Sequence, residues 1–527
     1  MPVTRGQEGA TRAAQEERGK LQSHFGRRDI LFYLICTLVG LDTIGAVAKN
    51  GAQGFTWLAF LGVFFFLPYG LLTAELGSAF TDEGGPYVWT RLAFGRLAGA
   101  ITAVLYWVSN PIWVGGSLCI TAVTAFGDFV TPLHGAAKYG FALGFIWLSI
   151  GFAIVSFKIG KWLPTVGAWA RIVVLSFFTL SVGIYAARHG VHGFSGHDFS
   201  PTYAVFITAV PVLVFNYTGF ELPSAAGEEM THPQRDVPAM VGWSALWALL
   251  LYGVPILSVL LVLPTGAVTG LGGFLDAVKA VFTVYGGTVA AGGAVTLTGW
   301  GKAFGEVAAF AFLLATLSSG SAWLMGADRI LAVAAYDGAG PRALGRFSAR
   351  FGTPLTVNLL SGGVATLTML LAFRFSQGSA ERYFSAAIAL AISTETLAYL
   401  AIFPAFLRLR RARRDVPRPY RVPGARAGAW ACGGLTTMWA LLATLGLIWP
   451  GFGIGWFGTS GRADDALPGG FAHQRLAYEL IQNVPLALFV LLGLLFYRLG
   501  RPTREAAHPL PTPPPGSSPA SERGRPE

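Results

Sequence analysis

Long apolar runs separated by short polar stretches organise the chain. A helix needs about 20 mostly apolar residues to cross a hydrocarbon layer. About twelve runs meet that length, at 30–48, 55–79, 97–124, 139–157, 165–187, 202–226, 239–263, 303–335, 354–373, 382–407, 429–449 and 482–500. Two of them are interrupted. The first reads ICTLVGLDTIGAVAKNGAQG, where Gly40 and Gly45 bracket Asp42 and Thr43. The sixth reads TAVPVLVFNYTGFELPSAAG, with Asn216, Gly219, Glu221 and Pro223 in its middle. Unwound backbone survives at membrane depth only where it is buried in protein or lines a cavity. The two interruptions lie five helices apart. Interrupted helices at matching places in two inverted halves point to a binding site near the midplane. Gly and Pro can instead serve only to let helices pack closely. Two breaks in register, each with a carboxylate, favour the site.

Composition sharpens this picture. Of 527 residues, 53% are hydrophobic and 12% charged, about half the charge of a soluble domain. An ordinary soluble enzyme is excluded. So is a disordered chain, because Phe, Tyr and Trp number 39, 16 and 15. Lys and Arg outnumber Asp and Glu by 38 to 27. They sit in short loops and tails rather than on an aromatic-interleaved face, so no nucleic-acid partner is expected. Instead they report orientation. With both termini inside, roughly 29 of the 38 basic residues are cytoplasmic, including the cluster RLRRARRDVPRPYRVPGAR. The expectation is a multi-pass protein of the plasma (inner) membrane with cytoplasmic termini. Residues 1–28 form a polar tail without the apolar core of a signal peptide. Residues 29–500 form the membrane domain, and the Pro/Ser-rich 501–527 read as a disordered tail.

Catalytic and metal-binding patterns are absent. No H-E-x-x-H, G-x-S-x-G or Walker-type loop occurs, so neither an enzyme nor an ATP-driven pump is expected, and no cofactor. Cys36, Cys119 and Cys432 lie in apolar runs without C-x-x-C spacing, so neither a disulfide framework nor a metal site is implied. His189, His192, His197 and Asp198 share the loop RHGVHGFSGHDFS. Metal ligation needs converging geometry that a Gly-rich loop does not supply by itself, and a solvated loop is the preferred reading.

Four stretches carry a family resemblance: AELGSAFTDEGGPYVWTRLAFG after helix 2, GFELPSAAGEEMTHPQRDVPAM at helix 6, GGFLDAVKAVFTVYGG after helix 7, and LSSGSAWLMGADRILAVAAYDGAGPRALGRFSARFGTP at helix 8. Over about residues 29–410 the chain resembles the amino acid–polyamine–organocation permeases, with Thr81 where that family often has Pro and His232 where it has Asn. The resemblance implies an all-α LeuT-type fold: two inverted five-helix repeats with helices 1 and 6 broken, then two more helices. It implies secondary transport of amino acids by alternating access, either proton-coupled or by exchange and independent of sodium. Transport of polyamines or other cationic amines is the alternative. A nontransporting membrane sensor is the reading from another class. The partners are a small-molecule substrate and the lipid bilayer.

Within such a fold the two breaks hold the substrate, through Gly40, Asp42, Thr43, Ile44, Gly45 and Ala46 on one side and Phe215, Asn216, Tyr217, Gly219 and Glu221 on the other. The family's helix 1 usually offers Gly-small-Gly where a carboxylate docks; here the positions are Ile44, Gly45 and Ala46. Asp42 beside that turn either takes an ammonium or caps a helix end. Glu221 either carries a proton or braces the break. Phe215 is an aromatic gate or simply packing. Arg171 on helix 5, with Ser318 and Ser319 on helix 8, matches the place where relatives hold sodium or a lysine. The alternative for Arg171 is to snorkel to the membrane interface. Glu395 is a further candidate for proton relay, Glu75 for a gate or loop anchor and Glu306 for the outer interface. Tyr106, Trp107 and Asn110 on helix 3 face the cavity or pack.

Overall fold

Apolar runs of this length close on themselves as helices because that conformation satisfies every peptide group within the segment. The computed structural model describes residues 25–155, 162–264, 266, 268–290, 293–375, 379–457, 462–468 and 471–506. The expected tails at 1–24 and 507–527, and the end of the run at 156–157, lie outside the described residues.

The first five membrane segments are α1 (Arg27–Leu38) continued across a break by α2 (Ile44–Ala48), α3 (Gly51–Ala79), α5 (Arg96–Phe129), α6 (Gly135–Val155) and α7 (Trp162–His189). The short α4 (Gly85–Phe94) lies between the second and third. The next five begin with α8 (Tyr203–Asn216), which gives way to a 3-10 segment, Leu222–Glu229. They continue with α9 (Pro233–Val262), α11 (Gly299–Ala339), α12 (Leu355–Phe375) and α13 (Ala380–Ala412). Again a short helix, α10 (Gly273–Phe282), lies between the second and third. Each set thus opens on a broken helix and carries its short helix at the same place. Five is odd, so the second set enters the membrane from the opposite side. This is the inverted repeat the sequence led us to expect. Two further helices, α14 (Ala425–Ile448) and α15 (Arg475–Leu499), complete the bundle.

Most helices extend beyond the apolar runs by a few residues, because hydropathy marks only the apolar part of a helix while polar residues continue its end turns. The sixth run, 202–226, is α-helical only as far as Asn216. Two features were not anticipated. A hairpin of β1 (Gly287–Val289) and β2 (Val295–Leu297) precedes α11. A short helix, α16 (Arg501–Ala506), begins the segment read as a disordered tail.

Aromatic rings fill the middle: Tyr69, Tyr106, Trp107, Tyr217 and Tyr399 are fully buried. The perimeter exposes Leu67, Val173, Leu180, Trp243, Phe310 and Leu488, as expected where the solvent is hydrocarbon. The end of the bundle that carries α4 is tied by buried ion pairs. Arg329 bonds Glu83 at 2.5 Å and Glu229 at 2.9 Å. Arg91 and Arg96 meet Asp337 at 2.9 and 3.3 Å. Glu75 holds the end of α13 through Arg410 at 3.2 Å and the loop that follows through Arg418 and the Val422 N–H at 3.1 and 2.7 Å. Removing one partner of such a pair strands a buried charge. Arg329→Met is therefore expected to lower unfolding free energy by about 3–5 kcal/mol, read as a lowered thermal midpoint of the purified protein.

Candidate functional site

Each break leaves peptide groups that no helix satisfies, and side chains from neighbouring helices take them up. At the end of α1 the carbonyls of Cys36, Thr37 and Val39 accept from Ser319 Oγ at 2.9 Å, Trp323 Nε1 at 3.0 Å and Arg171 Nε at 2.9 Å. Across the gap the Gly40 N–H donates to the Tyr252 hydroxyl at 2.7 Å. A 3-10 turn, Leu41–Thr43, then leads into α2.

The second break follows the same logic. The Gly219 and Phe220 N–H groups both donate to the Tyr69 hydroxyl at 3.0 Å. Gly219 has φ +124°, and a Cβ there would press on Thr37 of the first break, so glycine serves both the turn and the close approach. The Tyr69 hydroxyl in turn donates to Glu221 Oε2. Glu221 Oε1 accepts from Tyr106 at 2.5 Å and Tyr399 at 2.6 Å. Three phenols from three helices therefore converge on one buried carboxyl group. The Tyr399 oxygen also lies 2.9 Å from Glu395 Oε1, one helical turn earlier on α13.

Between the breaks, Asp42 is buried and its Oδ2 accepts from Trp113 Nε1 at 2.9 Å. Asp42 Oδ1 has no partner, nor has either side-chain polar atom of the buried Asn216. Buried polar groups are rarely left so. Beside them Trp113, Phe215 and Trp323 form a triangle with ring centroids 6.1, 6.2 and 6.5 Å apart, and Tyr106 stacks on Trp323 at 6.5 Å. A cavity of about 260 Å³, lined by Ala46, Lys49, Asn50, Pro211 and Ile392 among others, opens next to α2 and α8.

Arg171 is wholly buried. Besides the Val39 carbonyl it donates to Cys36 Sγ at 2.9 Å, Ser318 Oγ at 3.0 Å, the Ala315 carbonyl at 2.5 Å and Ser319 Oγ. All five of its donors bridge the first break to α11, so the side chain points inward rather than to an interface.

The family description amino acid permease matches residues 25–463. The chain belongs to this family. As a permease of the amino acid–polyamine–organocation superfamily it is a transporter, not an enzyme. It takes a small-molecule substrate within a multi-pass membrane bundle. It is 27% identical to a probable agmatine/putrescine antiporter of Lactococcus lactis, over 78% of this chain and 84% of the relative. It is 25% identical to a polyamine transporter of Oryza sativa, over 76% and 70%. It is 23% identical to a glutamate/gamma-aminobutyrate antiporter of Lactococcus lactis, over 72% and 75%.

In this permease the remaining candidates are placed as follows. The Thr43 hydroxyl donates to the Gly40 carbonyl at 3.1 Å. Ile44 and Ala46 are buried. A Cβ on Gly45 would come within 2.8 Å of the Gly270 carbonyl oxygen and 3.0 Å of that of Thr269, so this glycine admits the loop before α10. Tyr217 turns to α3, donating to the Leu58 carbonyl at 2.9 Å and stacking on Phe66. Trp107 leaves the site for Asp328 and Ser361 on α11 and α12. Asn110 bonds the Tyr106 carbonyl of its own helix. Glu306 is half-buried beside Lys302. His189, His192 and His197 are exposed, and no group that could hold a metal ion occurs among the described residues.

Tyr69, Trp113, Tyr252, Trp323 and Tyr399 were missed in the sequence. Each is an aromatic in an apolar helix, which usually means packing. Only Tyr399, one turn after Glu395, carried a usable signal. Tyr69→Phe keeps the ring but strands two peptide N–H groups and a carboxylate oxygen. It is expected to cost about 2 kcal/mol or more, measured by thermal or denaturant unfolding of the purified permease.

Proposed function

We propose that this permease transports small cationic amines by alternating access, without sodium, in the plasma (inner) membrane with both termini cytoplasmic. The observation that carries the reading is Asp42: a buried carboxylate with one oxygen unpartnered, beside the faces of Trp113, Phe215 and Trp323. An ammonium suits both parts, donating to the free oxygen and lying over electron-rich rings. The α-amino-acid alternative needs free N–H groups for a carboxylate. Here the N–H groups of Gly40, Gly219 and Phe220 already donate to tyrosines, and Gly45 faces carbonyl oxygens. The names of the agmatine/putrescine and polyamine relatives agree with an amine substrate.

Arg171 supports the sodium-independent reading. Its guanidinium occupies the carbonyl and hydroxyl cluster that a sodium ion would need, and arginine stays charged at any physiological pH. The excess of basic residues in the loops on one side supports this orientation.

Uptake into proteoliposomes tests these points together. Labelled putrescine and agmatine are expected to enter with or without sodium. Asp42→Asn removes the charge but keeps the shape, and kcat/KM should fall about 10- to 100-fold, as for loss of a charge-assisted hydrogen bond. Uptake that requires sodium, or uptake of an α-amino acid unaffected by Asp42→Asn, would contradict the reading. No transport of either class would point to a nontransporting sensor.

A further inference from the structure

The hydroxyl of Tyr399 stands between two carboxyl groups, 2.6 Å from Glu221 Oε1 and 2.9 Å from Glu395 Oε1. A phenol has one proton to donate. It can bond one carboxylate in this way and not both. The second contact is a hydrogen bond only if a carboxyl group supplies the proton. If Tyr399 donates to Glu221, Glu395 must carry a proton and donate to the Tyr399 oxygen. If Tyr399 donates to Glu395, Glu221 must carry it. Either way the pair holds one proton beyond the tyrosine's own.

The surroundings agree. Tyr69 from α3 and Tyr106 from α5 aim their hydroxyls at Glu221. On the far side of α13, Thr396 meets Thr444 of α14 at 2.8 Å. Among the described residues no Lys, Arg or His bonds either carboxyl group. Two adjacent buried carboxylates without a cation repel, and such pairs titrate as a unit that keeps one proton.

We propose that Glu395, Tyr399 and Glu221 form a one-proton store that a cationic substrate discharges. An ammonium at this end of the site brings both N–H donors and positive charge. Both carboxylates can then be ionised, and the stored proton passes to water on the side from which the substrate entered. Charge balance fits a doubly charged amine. Asp42 and Arg171 bring one charge of each sign to the centre and sum to zero. The carboxyl pair with its proton carries one negative charge, and without the proton it carries two. A dication therefore leaves the site neutral once the proton has gone. Substrate binding and proton release become one event, and the return of the empty carrier with a proton makes the cycle an amine/proton exchange. This discharge rests on the amine reading above; the existence of the store does not.

The substrate-free permease tests the store by itself. In an infrared difference spectrum at neutral pH, wild type minus Glu395→Gln, a protonated-carboxyl C=O band should be present. Glutamine reproduces the donor of a protonated Glu395 but has no proton to lose. No such difference would overturn the store, whatever the substrate. Putrescine binding then tests the discharge. Wild type should release one proton per putrescine, so Kd should tighten by up to about tenfold per pH unit as pH rises through the range where the pair keeps its proton. Glu395→Gln should release none and bind with a flat pH profile. Binding of putrescine by wild type with no proton release would overturn the discharge. A present carboxyl band with no binding of any amine would instead overturn the amine reading and leave the store intact. If Glu395→Gln does not fold, Glu395→Asp takes its place: the shorter side chain shifts the band if Glu395 shares the proton, and an unmoved band overturns the store.

Discussion

Peptide groups that leave a helix at membrane depth must find partners, and this constraint shapes the centre of the molecule. Both breaks meet it with side chains of neighbouring helices. Ser319, Trp323 and Arg171 take the carbonyls that α1 releases, and the hydroxyls of Tyr252 and Tyr69 take the N–H groups on the far sides of the gaps. Those partners come from α3, α7, α9 and α11. The unwound segments thus bind four other helices together, and each partner that satisfies a peptide group also narrows what the site can bind. N–H groups committed to tyrosine oxygens no longer serve an anionic ligand. Among the described side-chain atoms left without a partner are a carboxylate oxygen of Asp42 and the amide of Asn216.

Charge at the centre is divided in the same way. Arg171 is surrounded by neutral acceptors and fixed between the first break and α11, where it acts as a permanent cation. Among the described residues no carboxyl group hydrogen-bonds it. Asp42 leans on an indole, Glu221 on three phenols, and Glu395 shares one of those phenols. Neutral donors can hold a carboxylate without cancelling its charge. A site built this way keeps its attraction for a mobile cation, and a proton can stand in for that cation while the site is empty.

Much of this was legible in the sequence. Hydropathy alone located the helices, because hydrocarbon imposes one length and one composition on every crossing. The two breaks were readable from Gly40–Gly45 and Asn216–Pro223, where glycine, proline and carboxylates interrupt otherwise apolar runs. Arg171 stood out because a charge within an apolar run demands a reason. The aromatic partners were not legible. Tyr69, Trp113 and Tyr252 are spaced as packing residues, and only the folded chain shows which hydroxyl or indole N–H meets an orphaned group. The fate of Gly45 was also hidden, since the Thr269–Gly270 loop that covers it lies more than two hundred residues away.

The central claim is that the site selects positive charge and rejects an α-carboxylate. Equilibrium binding to the purified protein of two matched pairs tests it most directly: putrescine against ornithine, and agmatine against arginine. Members of each pair differ only in the α-carboxylate. A second negative charge beside Asp42, where the Gly40, Gly219 and Phe220 N–H groups already donate to tyrosines, should weaken binding of the amino acid by about tenfold or more in both pairs. Equal or tighter binding of ornithine and arginine would contradict the account.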